Sequence, residues 1–330
     1  MQTSFISTVT EEHVQRAAAI LNDGGLVAFP TETVYGLGAL ATNETAVKKI
    51  FAAKGRPSDN PLIIHIADFS EVTRYAREIP PIAERLAEEF WGGPLTMIFK
   101  KQPSVPDAVT AGLDTVAIRL PSHPIAYRLI KAAGSGIAAP SANTSGRPSP
   151  TTAADVLADM EGKIEMILDG GTSEHGVEST VLDLTSSTPR ILRPGAVSLE
   201  MLLPFLPDCT YASANHCDKP ACPGMKYTHY APDAKVFAVK TLSVLEVNRL
   251  AENDPDAGIL ALSVEESGYR AAHLLSAGKT AADYAACLFS YLREADRRGI
   301  RTLYAVLPSP DGIGTAVINR LTKAAGGDIL

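Results

Sequence analysis

Lys54 and Arg56 stand two positions apart, and two cations fixed that close together could hold the phosphates of a nucleotide. They follow the run Glu44 to Lys54, which reads as a helix because Asn43 is a favoured N-cap and Gly55 a favoured C′ residue. The same cations would also complement the negative end of that helix's dipole. Beyond them come Pro57 and the polar Ser58, Asp59 and Asn60, then the apolar Pro61 to Ile66, so the charges lie at the mouth of a buried strand. A second cluster, Thr31, Glu32 and Thr33, follows the apolar Leu26 to Phe29 and precedes Tyr35-Gly36-Leu37-Gly38. Polar groups at the end of an interior strand are where ligands commonly meet a sheet, and a capped turn looks much the same. The third is Ala139-Pro140-Ser141-Ala142-Asn143, continued by Thr144 to Ser149, whose short side chains suit either a backbone nest for an anion or an ordered loop.

Arg119 lies between Ile118 and Leu120, a setting where arginine calls for a carboxylate or phosphate. It is a candidate clamp for a substrate carboxylate, or half of a structural pair with an acidic residue. His65, between Ile64 and Ile66, reads on type alone as a satisfied core histidine. Ser179 and Thr180 put hydroxyls at a strand start, and Arg193 ends another strand. Several familiar signatures fail. No G-x-x-x-x-G-K-[ST] is present, so the sequence excludes a P-loop. Gly134-Ser135-Gly136 follows a helix, the wrong setting for a dinucleotide fingerprint. Gly312-Ile313-Gly314 has the strand-to-helix setting but lacks the third small residue and the downstream acid. Cys209, Cys217 and Cys222 gather near His216 and His229 without a C-x-x-C knuckle, so no metal-ligand set is read there.

The elements that position these residues alternate along the chain. Helices are expected at Glu11 to Asn22, Glu44 to Lys54 and Ile82 to Phe90. Strands are expected at Leu26 to Pro30, Leu62 to Ala67, Thr96 to Lys100, Thr115 to Leu120, Ile137 to Ala139, Glu165 to Asp169, Ser179 to Asp183 and Arg190 to Arg193. Strands adjacent in sequence favour a mixed α+β sheet over a strictly alternating parallel one. From Pro204 to Pro232 the periodicity stops, which marks a linker. After it, strands at Lys235 to Lys240, Gly258 to Leu262 and Thr302 to Leu307 alternate with helices at Ser243 to Asn253, Thr280 to Arg298 and Thr315 to Ala325, a small α/β domain. The division is therefore 1–203, 204–234 and 235–330.

With 330 residues, 45% hydrophobic and 20% charged, the chain is in the globular range and long enough for two domains. Its net charge of -7 and 6% aromatic content speak against a primary nucleic-acid binder, which needs clustered cations and stacking platforms. The N-terminal segment lacks the basic and apolar regions of a signal peptide, no stretch is apolar enough to span a membrane, and four cysteines fit a reducing compartment. A soluble cytoplasmic protein is expected.

Taken together, Pro30-Thr31-Glu32-Thr33-Val34-Tyr35-Gly36-Leu37, Lys54-Gly55-Arg56-Pro57, Asn60-Pro61-Leu62, Ala139-Pro140-Ser141-Ala142-Asn143 and Ser179-Thr180-Val181 closely resemble the YrdC-like family. Its hallmark is the Lys-x-Arg plus Ser-x-Asn tetrad. Pro223 to Pro232 and the α/β tail look like the longer, two-domain threonylcarbamoyl-AMP synthases. The resemblance implies a YrdC-like mixed twisted sheet with flanking helices, followed by a small Rossmann-like domain. It also implies a nucleotidyltransferase that joins L-threonine, bicarbonate and ATP into threonylcarbamoyl-AMP and pyrophosphate, for tRNA modification beside the anticodon. Carried over by motif, the catalytic set is Lys54, Arg56, Ser141 and Asn143. These four, with Asn60, Thr115, Ser149, Arg193 and Tyr230, would bind ATP, with Mg2+ on its phosphates. Thr33, His65, Arg119, Ala139 and Ser179 would line the threonine pocket, and His229 and Tyr230 would form a lid. The expected partner is a threonylcarbamoyl transferase complex, with at most weak tRNA binding. Cys222 stands where serine is expected and Thr228 where a basic residue is common, both in the lid segment. The alternative reading is a double-stranded RNA-binding module without turnover.

Overall fold

The structure is a computed structural model that describes residues 2–212 and 230–330. The described chain divides into two compact units. Residues 146–149 and 175–177 pack with residues 230–330, and the remaining described residues form the first unit.

The first unit is built on one mixed sheet of twelve strands. They are β1 (Ser4–Ile6), β2 (Val27–Phe29), β3 (Gly36–Leu40), β4 (Ile63–His65), β5 (Ala76–Arg77), β6 (Leu95–Lys101), β7 (Thr115–Arg119), β8 (Ile137–Ala139), β9 (Met166–Leu168), β10 (Thr180–Asp183), β11 (Arg190–Arg193) and β12 (Thr210–Tyr211). Across the sheet the order is β1-β9-β2-β3-β8-β4-β7-β6-β10-β11-β12, with β5 paired to β6. Pairings β4–β7 and β6–β10 are parallel, whereas β3–β8, β4–β8, β6–β7 and β10–β11 are antiparallel. The mixed sheet expected from neighbouring strands is thus present.

Because strand side chains alternate between faces, register decides what each face carries. On one face Ala28, Leu37, Ala138, Ile64, Ile118, Met97 and Leu182 join the largest apolar core, together with Val47 and Ile50 of the helix Glu44–Lys54 and Leu86 of the helix Ile82–Phe90. On the other face the helices Glu11–Asn22 and Pro124–Ala133 pack on β9, β2, β3 and β8 through Ala17, Leu21, Leu129, Phe29 and Ile137. The same face of β4, β7, β6 and β10 carries a small apolar patch of Ile63, Ala117, Ile98 and Val181.

The helix Glu44–Lys54 begins and ends where its caps dictate: Asn43 accepts from Ala46 N, and Gly55 takes the left-handed conformation at φ +61°. The strand β3, Gly-Leu-Gly-Ala-Leu, was not expected. Its glycines serve packing, since a Cβ on Gly38 would lie 2.6 Å from Ile137 and 2.9 Å from Phe29.

The second unit has four strands, β13 (Lys235–Val239), β14 (Ala257–Ala261), β15 (His273–Ser276) and β16 (Thr302–Val306), all parallel in the order β13-β16-β14-β15. Its helices include Val244–Ala251, Ala281–Arg297 and Gly314–Ala324. The helix Ala281–Arg297 also organises the segments that precede the sheet. Asp296 accepts from Asp233 N (2.8 Å), Ala234 N (3.2 Å) and Arg147 Nη2 (3.0 Å). Arg293 donates to Pro148 O (2.6 Å), and Tyr230 stacks on Phe289 at 5.1 Å. Among the described residues no helix is long and apolar enough to cross a membrane. His216, Cys217, Cys222, Thr228 and His229, and hence most of the expected lid motif, lie outside the described residues; Cys209 is buried in the first unit.

Candidate active site

The register of the sheet gathers most of the expected site. His65 on β4 pairs with Ile137 on β8 and with Arg119 on β7. Arg119 pairs with Thr96 on β6, Thr96 with Val181 on β10, and Val181 with Arg193 on β11. Residues directly opposite one another share a face, so His65, Arg119, Thr96 and Arg193 form one polar row across the sheet. Ala139, two residues from Ile137, pairs with Ile63 and stands on the same face, as do Thr115 at the far end of β7 and Ser179 just ahead of β10. The apolar patch of Ile63, Ala117, Ile98 and Val181 is the floor beside this row.

Arg119, 3% exposed, is held on three sides. Its Nε donates to Gly93 O (3.2 Å), its Nη1 to Thr33 Oγ1 (2.9 Å), and its Nη2 to the carboxylate of Glu32. The second oxygen of Glu32 accepts from Ser122 N at 3.2 Å. A guanidinium has five N–H groups, so among the described residues one on Nη1 and one on Nη2 are left. Burial by itself would raise the Glu32 pKa, but Arg119 beside it and the hydrogen bonds outweigh that, and its carboxyl sits below the ordinary range. Of the two alternatives open for Arg119, the structural pair is present, with Glu32 as its carboxylate partner.

The hydroxyl network around Thr33 has a fixed direction. Thr31 Oγ1 donates its single hydrogen to Val34 O at 2.7 Å. The 2.8 Å contact between Thr31 and Thr33 must then be donated by Thr33. Thr33 also accepts from Arg119, so toward a ligand it can act as an acceptor only. His65 is 4% exposed, and its Nδ1 has no hydrogen-bond partner among the described residues. Burial, followed by the nearby Arg119 charge, pulls its pKa down to about 3, so the ring is neutral at physiological pH.

Lys54 is 2% exposed, and its Nζ donates to Ser141 O and Asn143 O, each at 2.5 Å. The ammonium thereby staples the Ser-x-Asn turn to the end of its own helix. Ser141 Oγ donates to Asn143 Oδ1 (2.5 Å), and Ser145 N donates to Lys54 O (2.8 Å). Arg56 Nη2 reaches Asn60 O (3.4 Å) and Pro61 O (3.2 Å), and the buried Asn60 Oδ1 has no partner among the described residues. Lys-x-Arg and Ser-x-Asn are 87 residues apart in sequence, and one ammonium joins them.

At the other end of the polar row, Arg193 donates through Nε (3.1 Å) and Nη2 (2.9 Å) to Ser179 O, and through Nη2 to Ser179 Oγ (3.1 Å). Thr96 Oγ1 lies 2.7 Å from Ser179 Oγ. Gly195 makes this approach possible: a Cβ there would lie 2.3 Å from Thr180 N and 2.6 Å from Ser179 C. Thr96, fully buried between Leu95 and Met97, was missed in the sequence; a lone hydroxyl in an apolar strand was the available signal. Ser149 and Tyr230 belong to the second unit, where Tyr230 is buried at φ +69°.

Residues 19–195 match the Sua5, yciO and yrdC family, described as "Telomere recombination", and residues 197–326 match the "Threonylcarbamoyl-AMP synthase, C-terminal domain". A threonylcarbamoyl-AMP synthase of Pyrococcus abyssi is 46% identical, covering 96% of this chain and 95% of that one. One from Bacillus subtilis is 45% identical, covering 99% and 97%. The crystal structure of P. abyssi Sua5 complexed with L-threonine superposes with a TM-score of 0.94 at 44% identity, over 100% of this chain and 99% of that one. The chain belongs to the threonylcarbamoyl-AMP synthase family. Membership of the threonylcarbamoyl-AMP synthase family bears out the resemblance carried by the motifs, and with it the expectation of an enzyme. The polar row, the Lys54 staple and the Arg119 cluster all fall within residues 19–195.

Proposed function

We propose that this chain is a threonylcarbamoyl-AMP synthase, which joins L-threonine, bicarbonate and ATP into threonylcarbamoyl-AMP and pyrophosphate for modification of tRNA beside the anticodon. The observation that carries the reading is the buried Arg119 with one N–H on each Nη unspent among the described residues, donors that suit a free α-carboxylate. With the carboxylate there, the Thr33 oxygen and the neutral His65 ring offer acceptors to the amine and hydroxyl of the amino acid, while Ala139 and Ser179 border it. The threonine amine displaces water from bicarbonate, or adds to CO2 and loses a proton, and the carbamate oxygen so formed attacks the α-phosphorus of ATP as pyrophosphate leaves. No protein nucleophile is needed; catalysis is positioning and charge stabilisation. Lys54, Ser141 and Asn143 shape the turn that faces the nucleotide, and Arg56, Asn60, Thr115 and Arg193 complete its site.

Among the described residues no group of three or more His, Cys, Asp or Glu is placed to hold a metal ion; Mg2+ is read as part of the ATP substrate. The second unit, an all-parallel sheet whose last strand β16 returns between β13 and β14, is read as Rossmann-like. A cytoplasmic location and hand-over to a threonylcarbamoyl transferase complex belong to the same reading. The test is pyrophosphate release by the purified chain, which should require ATP, bicarbonate and L-threonine together. Release indifferent to threonine ends the assignment.

A further inference from the structure

We infer that Glu32 is a positioning residue for the amino-acid site, acting through Arg119; this rests on the reading of Arg119 as the carboxylate fork. Arg119 has two requirements that conflict. It must be buried, so that a carboxylate meets it away from water, and a buried guanidinium is costly without a partner. It must also keep a pair of N–H groups free. Glu32, 4% exposed, resolves the conflict by taking a single N–H of Nη2, while Gly93 O and Thr33 Oγ1 each take one more. The guanidinium plane is thus fixed by three partners around its perimeter.

Glu32 is itself held, because its other oxygen accepts from Ser122 N. Both carboxylate oxygens are therefore acceptors facing donors, a demand that only an ionised acid meets. An amide in its place would turn an NH2 toward either Arg119 or the Ser122 N–H. One donor would then face another, and the guanidinium would lose an edge of its support. Charge alone does not set the direction of the effect. Threonine binds as a zwitterion, so removing one fixed negative charge strengthens attraction for its carboxylate and repulsion for its ammonium together, and lost aim decides.

The test is steady-state kinetics of Glu32→Gln on the full chain, with threonine and ATP varied separately. The expected result is a threonine KM raised tenfold or more, an ATP KM within twofold of the parent, and partial recovery of the threonine KM in Glu32→Asp, which restores the charge on a shorter stem. A threonine KM within twofold of the parent, or equal rises for both substrates, overturns the inference. Should Glu32→Gln not fold, Glu32→Asp is judged alone: a threonine KM raised at least threefold with ATP unmoved supports the role, and an unchanged one overturns it. A parent enzyme whose pyrophosphate release ignores threonine instead defeats the underlying reading, a result visible before any variant is made.

Discussion

Replacing Lys54 by methionine separates two jobs that a buried cation in a nucleotide site can do. If Lys54 only met phosphate, the variant would fold as well as the parent in the absence of ligand. The structure has its Nζ on Ser141 O and Asn143 O at 2.5 Å each. A hydrogen bond to a charged group contributes about 1.5–3 kcal/mol net, so two of them set an expected loss of about 3–6 kcal/mol. Methionine keeps the buried stem, so little of that loss comes from packing. Trp91 is the single tryptophan and lies in the first unit, so its fluorescence in urea follows the unit that contains Lys54. Lys48→Met in the same helix is the control. That lysine is 66% exposed and paired with Glu44, and its removal should cost at most about 0.5 kcal/mol. Calorimetric titration of Lys54→Met with ATP should also show weakened binding, through a turn no longer held in shape. A Lys54→Met variant within about 1 kcal/mol of the parent would refute the staple.

Two further outcomes follow from the same geometry. Gly195→Ala drives a methyl into the backbone at Thr180 and Ser179, and should destabilise the first unit by about 1–3 kcal/mol and depress turnover; near-parent activity would mean the Arg193–Ser179 approach is not needed. His65 is uncharged in the fold until about pH 3, whereas the unfolded chain takes up its proton near 6.5, so stability should fall with pH across that window. Between pH 7.5 and 5 this amounts to about 2 kcal/mol, present in the parent and missing from His65→Gln in urea titrations at the two pH values. His123, whose pKa burial also lowers, leaves a remainder in both proteins.

Where local chemistry determines structure, the sequence was readable. The helix Glu44–Lys54 follows from Asn43 and Gly55, and Ile82–Phe90 from its apolar stripe, and both occupy the expected residues. β3 was hidden because its glycines answer to Phe29 and Ile137, neighbours that sheet pairing supplies. The same distinction holds in the site. Arg119, His65 and Ser179 could be flagged from apolar neighbours or motif, but the Arg119 partner Glu32 lies 87 positions away, and no periodicity connects them. Thr96 was hidden for the same reason: its meaning comes from Ser179, 83 positions along the chain.

The alternation of β6 and β7 has a practical reading for protein engineering. Positions 96, 98, 117 and 119 share the face that carries the polar row, and 97, 116 and 118 look toward the main core, so neighbouring codons govern unrelated properties. A library confined to the first set would vary what is recognised while leaving the main core intact. Deleting a single residue from β7 just ahead of Arg119 would swap its face, burying a guanidinium among methyl groups.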